Sequence, residues 1–143
     1  MKLSHSIEIA APGSLVWEVS TDINNWGAWL PTVQAIERID DGPFRMASEA
    51  WVKQPGLPKA RWTVTAIEEG RHFTWETHIR GMHIIARHEL LELPEGTRNT
   101  LELEFRGLAV WLMAPFVWFS ARRSLRLENV ALKQRCEELR ESS

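Results

Sequence analysis

The stretch 108–139 constrains this chain more than any other, because no other run is long enough to build a long helix. It follows Gly107 and contains no further glycine. In its second half Leu125, Leu132 and Leu139 recur at seven-residue spacing, with Ala121 and Cys136 on the same side. Arg122, Arg126, Asn129, Lys133 and Arg140 gather on another side, so the period is helical. The first half differs, since every residue of 108–119 is apolar. A segment apolar on all faces is buried all round, or shared between a core and something bound to it. It is too short to cross a bilayer, which takes about 20 apolar residues. Pro115 removes a backbone donor and crowds the preceding turn, so it kinks the helix or starts its second part. The expectation is one long, two-part helix whose apolar front half lies over a cavity.

The residues before it change period. Residues 3–10 alternate loosely and read as a strand. Ala11-Pro12-Gly13-Ser14 breaks it, with Ser14 a candidate N-cap for a short helix holding Leu15, Val16, Trp17 and Val19. Ser20-Thr21-Asp22 offers another cap, Asp22, and 23–30 reads as a second short helix stopped by Pro31. From Thr32 onward the period is two, with strands predicted at 33–39, 44–53, 61–68, 72–79, 82–93 and 99–106. Asp40-Asp41-Gly42-Pro43, Glu69-Gly70, Arg80-Gly81 and Pro94-Glu95-Gly96-Thr97 are turns, and 54–58 is a proline-bounded loop. Six strands on short connections make an antiparallel meander with one wet and one buried face, and the first strand joins as a seventh. Only the long final helix is large enough to cover the buried face.

The 143 residues suit one domain, 1–143. A net charge of -2 gives no basic excess to attract nucleic acid. The single cysteine excludes an intramolecular disulfide and any Cys-rich metal site, and fits a reducing cytoplasm. The opening MKLSHSIEIA lacks the apolar core of a signal peptide. Eight tryptophans and no tyrosine supply much apolar area with few polar groups, which suits a core or an apolar pocket.

Ala11-Pro12, Val16-Trp17, Asp22, Trp26, Trp29-Leu30-Pro31 and Val33 resemble the opening of the polyketide cyclase/dehydrase group. That group belongs to the START-like, Bet v 1-like (SRPBCC) superfamily. Trp75, Gly81, His88, Gly96-Thr97 and Gly107 are similar to its strand-and-turn pattern, and Leu132-Lys133 with Glu137 to its closing helix. The resemblance covers essentially the whole chain. It implies an α+β helix-grip, β-αα-β6-α: a curved seven-stranded antiparallel sheet around a long C-terminal helix, with a hydrophobic cavity between them. The periodicity arrives independently at the same order.

Alternation assigns the inward faces. They hold Leu101, Leu103 and Phe105; Ile84, Ala86, His88 and Leu90; Phe73, Trp75, Thr77 and Ile79; and Trp62, Val64 and Ala66. The candidate ligand-binding set is Trp62, Val64, Trp75, Thr77, Ile84, Ala86, His88, Leu101, Leu103 and Phe105 on strands. Met113, Phe116, Val117 and Ser120 join it from the helix. From periodicity alone these side chains could fill a solid core; the resemblance favours a cavity. His88 is the polar residue on this face, either satisfied by a neighbour, anchoring a ligand oxygen, or serving an enzyme as acid/base. His83 lies on the opposite face, so the two cannot chelate one metal, and His72 and His78 read as solvated. No spacing suggests a metal or a cofactor. Cys136 reads as packing, no G-x-S-x-G elbow is present, and Glu37, Asp40 and Asp41 read as solvated carboxylates near a turn.

Carrying the polar helix stripe back leads to Trp118 and Trp111, which are expected to face outward. Loops near Trp26 or Pro55 cover them, or they form a homodimer contact, a ligand gate, or a membrane-surface touch beside Arg122 and Arg123. Loop cover and dimer rank ahead of membrane. The functional expectation is binding, and by extension transport, of a lipid-like or polycyclic hydrophobic molecule in the cavity. The alternatives are a polyketide cyclase/aromatase or dehydratase using the same cavity with His88, and a co-chaperone-like interaction module. A polar pair across the cavity would favour the enzyme, a single anchor the carrier, and a filled cavity the interaction module.

Overall fold

The computed structural model of the protein describes residues 1–142. Strand β1 (Lys2–Ile9) is followed by α1 (Gly13–Thr21) and a 3-10 helix (Ile23–Ala28). Then come β2 (Ala35–Arg38), β3 (Glu49–Lys53), β4 (Ala60–Glu68), β5 (His72–Ile79), β6 (Met82–Leu93) and β7 (Gly96–Arg106). After the strands lie α2 (Leu108–Leu112) and α3 (Ala114–Glu141). The strands form one antiparallel sheet in the order β1-β7-β6-β5-β4-β3-β2. β2 to β7 are therefore a meander and β1 closes the far edge against β7, an α+β helix-grip.

The long helix divides where the sequence suggested. Met113 leaves helical backbone (φ -116°, ψ 18°), and Pro115 sits in the first turn of α3, where a missing N–H costs nothing. Val117, Ala121, Leu125, Leu132 and Cys136 form the buried stripe of α3. Asn129, expected on the polar stripe, is fully buried. Its Oδ1 accepts from Asn99 Nδ2 at 2.6 Å, while its Nδ2 donates to the His5 carbonyl at 3.0 Å and lies 2.7 Å from His5 Nδ1. One side chain thus ties α3 to both β7 and β1. Further along, Lys133 Nζ donates to Glu8 O at 3.0 Å and Arg140 to Ala10 O at 2.6 Å. This half of α3 is fastened to the sheet edge, which leaves the other half to span the open side.

Several boundaries differ from expectation. The strand predicted at 44–53 begins only at Glu49, because Asp40 organises the preceding loop. Its carboxylate accepts from Glu49 N at 2.8 Å, Ser48 Oγ at 2.9 Å and Arg38 at 2.9 Å, so it is not a freely solvated turn residue. Phe44 imitates a strand residue by packing its ring on Phe73 at 5.1 Å. A bulge between Val64 and Ala66 shifts the register of β4, so Ile67 rather than Ala66 pairs opposite Phe73 and packs on the core. The turn expected at 94–97 is shorter: β7 starts at Gly96, where a Cβ would strike the Ile9 carbonyl oxygen. Pro12, not Ser14, occupies the N-cap position of α1. Asp22 sits at the cap of the 3-10 helix, but its carboxylate takes the Asn25 side-chain amide at 2.6 Å instead of a backbone N–H. Arg80 and Gly81 adopt φ of 49° and 76°, the left-handed pair of a two-residue hairpin turn.

Candidate functional site

Between the inner face of the sheet and α3 lies a cavity of about 550 Å³. Trp62 and Trp75 enter it from β4 and β5, and Met82, Ile84, Ala86 and His88 from β6. β7 supplies Leu101, Leu103 and Phe105, and α3 supplies Phe116, Val117, Ser120, Ala121, Ser124, Leu125 and Glu128. Trp26, Leu30, Thr32 and Val33 close one side from the 3-10 helix and the residues after it. Exposed members of the wall (Pro31, Pro55, Gly56, Arg80, Met113, Phe116, Ser120 and Arg123) mark its opening.

All of the predicted ligand-binding set lines this cavity except Val64 and Thr77. Val64 is fully buried in the packed part of the core. Thr77 is buried too and spends its hydroxyl on the Arg61 carbonyl at 2.7 Å, bracing β4 against β5. Met113, Phe116 and Ser120 belong to the mouth rather than the depth, because the front of α3 overhangs solvent.

Aromatic rings dominate the wall. Trp62 and Trp75 lie with ring centroids 5.4 Å apart, and Trp26 meets Trp75 edge-on at 5.4 Å. His88 stacks flat on Phe73, with centroids 4.1 Å apart and planes 9° apart. That stack fixes the imidazole orientation, with Trp26 beside it at 6.2 Å. Nε2 of His88 is 3.6 Å from Glu128 Oε1, an ion-pair distance when the imidazole is protonated and longer than a direct hydrogen bond. Nδ1 of His88 is buried and has no hydrogen-bond partner within the protein. Trp26 Nε1 and Thr32 Oγ1 are buried and unpartnered in the same way.

Sequence reasoning singled out His88 and missed Glu128, Trp26 and Thr32. The signal for Glu128 was present: 121, 125, 128 and 132 are spaced as one helical stripe, and a carboxylate on it must face the sheet. Trp26 and Thr32 lie on non-repetitive backbone, where periodicity says nothing about direction.

His83 lies on the outer face as expected, bonded to Glu76 at 2.6 Å and stacked on His78. Among the described residues no three His, Cys, Asp or Glu side chains come together as a metal site, and no helix is long and apolar enough to cross a membrane.

The rim beside the opening is apolar and uncovered. Leu108, Trp111, Leu112, Met113, Phe116, Trp118 and Phe119 are all exposed, from 37% for Trp118 to 86% for Leu112. The cover expected from loops near Trp26 or Pro55 is not there: Trp26 is turned into the core. The Arg122 guanidinium lies over the Trp118 ring at 5.2 Å.

A family model described as polyketide cyclase / dehydrase and lipid transport matches residues 1–137. No curated protein sequence matches the chain. Among solved structures, the Zhui aromatase/cyclase from Streptomyces sp. R1128 is 17% identical with a TM-score of 0.76, over 96% of this chain and 93% of that one. A START superfamily protein from Mycobacterium smegmatis is 18% identical with a TM-score of 0.80, over 96% and 98%. A hypothetical protein from Helicobacter pylori reaches a TM-score of 0.83 at 11% identity, over 95% and 88%. At such identities the likeness speaks for the fold.

Proposed function

Because the chain belongs to the family described as polyketide cyclase / dehydrase and lipid transport, we propose that it binds a hydrophobic small molecule, lipid-like or polycyclic, between the sheet and α3. The observation that carries this reading is the cavity itself: about 550 Å³, walled by Trp26, Trp62 and Trp75, and open at one end. Volumes of roughly 300–1,000 Å³ with apolar walls and few polar groups are typical of small-molecule sites. Native mass spectrometry of freshly purified protein tests it. A co-purifying apolar molecule, or saturable binding of one by delipidated protein, is the expected result. Delipidated protein that binds neither fatty acids nor fused-ring aromatics would overturn it.

A second reading has its own observation. His88 and Glu128 face each other from the sheet and the helix at 3.6 Å, the polar pair that an enzyme of the cyclase/aromatase or dehydratase kind would use. In that role Glu128 would orient and charge-balance the imidazole, and His88 would exchange the proton. His88→Gln keeps a donor and an acceptor but cannot exchange protons near neutral pH. If a polyketide substrate is turned over, this change should cost about 100-fold or more in rate while binding persists. Activity unaffected by His88→Gln would reject His88 as the acid/base. The interaction-module reading called for a filled cavity, and the open one favours a ligand instead.

A further inference from the structure

The apolar rim beside the opening is not used by the cavity. Leu108, Trp111, Leu112 and Phe119 are exposed and take no part in the cavity wall. Met113 and Phe116 are exposed and do line it, so the patch runs unbroken into the opening. Single apolar side chains in water are ordinary, but a contiguous patch marks a contact surface. The patch is also held in place. Val110 and Val117 are buried and anchor α2 and the front of α3, which keeps the opposite sides of both helices turned outward. Gly107 is pressed against the Gly81 carbonyl, and a Cβ on Gly81 would stand 3.7 Å from that of Ala109, so the Arg80-Gly81 turn lies against α2.

Charge is placed to match. No acidic residue occurs from Gly107 to Leu127, in a chain whose net charge is -2. Arg122, Arg123 and Arg126 follow the rings along α3, and all three are exposed. Among the described residues, cations elsewhere pair with carboxylates, but none of these three does. The Arg122 guanidinium lies instead over the Trp118 ring at 5.2 Å, which holds a cation at the edge of the patch. Arg80, exposed in the turn beside α2, adds a fourth at the mouth. Polarity therefore changes along the axis of α3 rather than around it. At about 1.5 Å per residue, the arginines stand roughly 5–10 Å beyond Phe119. That is about the depth to which an interfacial element sinks its rings while its cations stay among the headgroups.

We infer that the patch docks on an anionic lipid surface, with α2 and the front of α3 at the acyl boundary and the arginines on the headgroups. Loop cover, one expected occupant, is absent. A two-fold pairing of two copies, the other, would bring the unpaired arginines of both together with no acid in the patch to answer them. A lipid surface supplies both demands at once, apolar depth for the rings and negative charge for the arginines. This docking does not rest on the binding reading given above, and either can fail alone.

The test is sedimentation of the full chain with vesicles. Phosphatidylcholine containing phosphatidylglycerol should carry the protein down, and phosphatidylcholine alone should carry little. Raising the salt from 0.1 to about 1 M, which shortens the screening length from about 10 Å to about 3 Å, should release it. Trp111→Ser with Phe119→Ser lies outside the cavity wall and should weaken vesicle binding at least about tenfold, with binding of a fused-ring ligand unchanged. Arg122→Gln with Arg126→Gln keeps the rings and should weaken it by about 25-fold, about fivefold for each charge removed. This second pair decides the matter should the first fail to fold. Lipids brominated on the acyl chain should quench part of the tryptophan emission, and Trp111→Ser should remove part of that quenching. No vesicle binding, equal binding to both vesicles, binding that survives in folded protein carrying either double variant, or bound protein without quenching would each overturn the docking. Dimerisation in ultracentrifugation that Trp111→Ser with Phe119→Ser abolishes would overturn it too, and would make a second copy the occupant.

Discussion

Asp40 organises the loop that leads into β3, and Asn129 ties α3 to β7 and β1. Burial pushes the Asp40 carboxyl up, but hydrogen bonds from Glu49 N, Ser48 and Arg38 outweigh it and hold its pKa at about 2, down from 3.8. A depressed carboxylate adds stability that is fully present above the unfolded value and lost as pH falls through the folded one. Asp40→Asn should therefore cost on the order of 2 kcal/mol at pH 7. Urea unfolding of both proteins should show that gap closing between about pH 4 and pH 2, a window set by the same two pKa values. Asn129→Ala removes the group that joins Asn99 to His5 inside the protein. Leaving those groups buried without partners should cost about 1–3 kcal/mol in the same assay, with no pH window of this kind. Neither role was legible in the sequence. An aspartate in Asp40-Asp41-Gly42-Pro43 looks like any turn residue, and an asparagine one position off the apolar stripe looks like part of the polar one. Burial of a polar group depends on partners far away in the chain, here 30 and 124 residues distant. Cys136 was read correctly as packing, because its apolar neighbours are local; burial raises its thiol to about 12.

Elements were legible wherever the side-chain period was strong and uninterrupted. β5 and β6 kept their predicted limits, since alternation there meets tight turns at both ends. Alternation failed at the start of β3, where Phe44 fills a core position from a loop, and at the β4 bulge, where one unpaired residue inverts the faces beyond it. The break between α2 and α3 was foreseen from Pro115, but the sharper constraint is at Gly107. Its φ is 115°, and a Cβ there would run into the Gly81 carbonyl oxygen across the β6 start. Positive φ and lack of room coincide at the joint that swings the chain from β7 onto the cavity mouth. Gly107→Ala should destabilise the protein by about 3 kcal/mol or more, seen as a lower denaturation midpoint with unchanged slope. A loss under about 1 kcal/mol, the ordinary cost of exchanging glycine and alanine, would mean that the joint is not constrained as described.

The architecture as a whole keeps one end of its core unfilled, and that choice separates a container from an ordinary two-layer fold. The fastened half of α3 lies on β1 through Asn129, Lys133 and Arg140, while the front half stands away from β5 and β6. The cavity lies under that front half. A solid core and a ligand cavity respond in opposite ways to added volume. In a close-packed interior, extra atoms force neighbours off their rotamers and cost roughly 1–3 kcal/mol. In a cavity of about 550 Å³ the same atoms meet empty space and remove apolar surface from water. Leu103 is the position to use, since it lies on β7 opposite Ala86, lines the cavity and is only half-buried. Leu103→Trp should leave the melting temperature unchanged or a few degrees higher, because roughly 1 kcal/mol moves the midpoint by about 2–8 °C in a domain of this size. The same variant should lose at least about tenfold in affinity for a fused-ring ligand, as the new indole occupies the ligand's volume. Thermal melts and titrations on one sample separate the cases. A marked drop in melting temperature means that the core is packed in solution and the container is closed. Stability kept with binding also kept means that the ligand sits elsewhere. Only stability kept with binding lost agrees with a chain that folds around a space meant for another molecule.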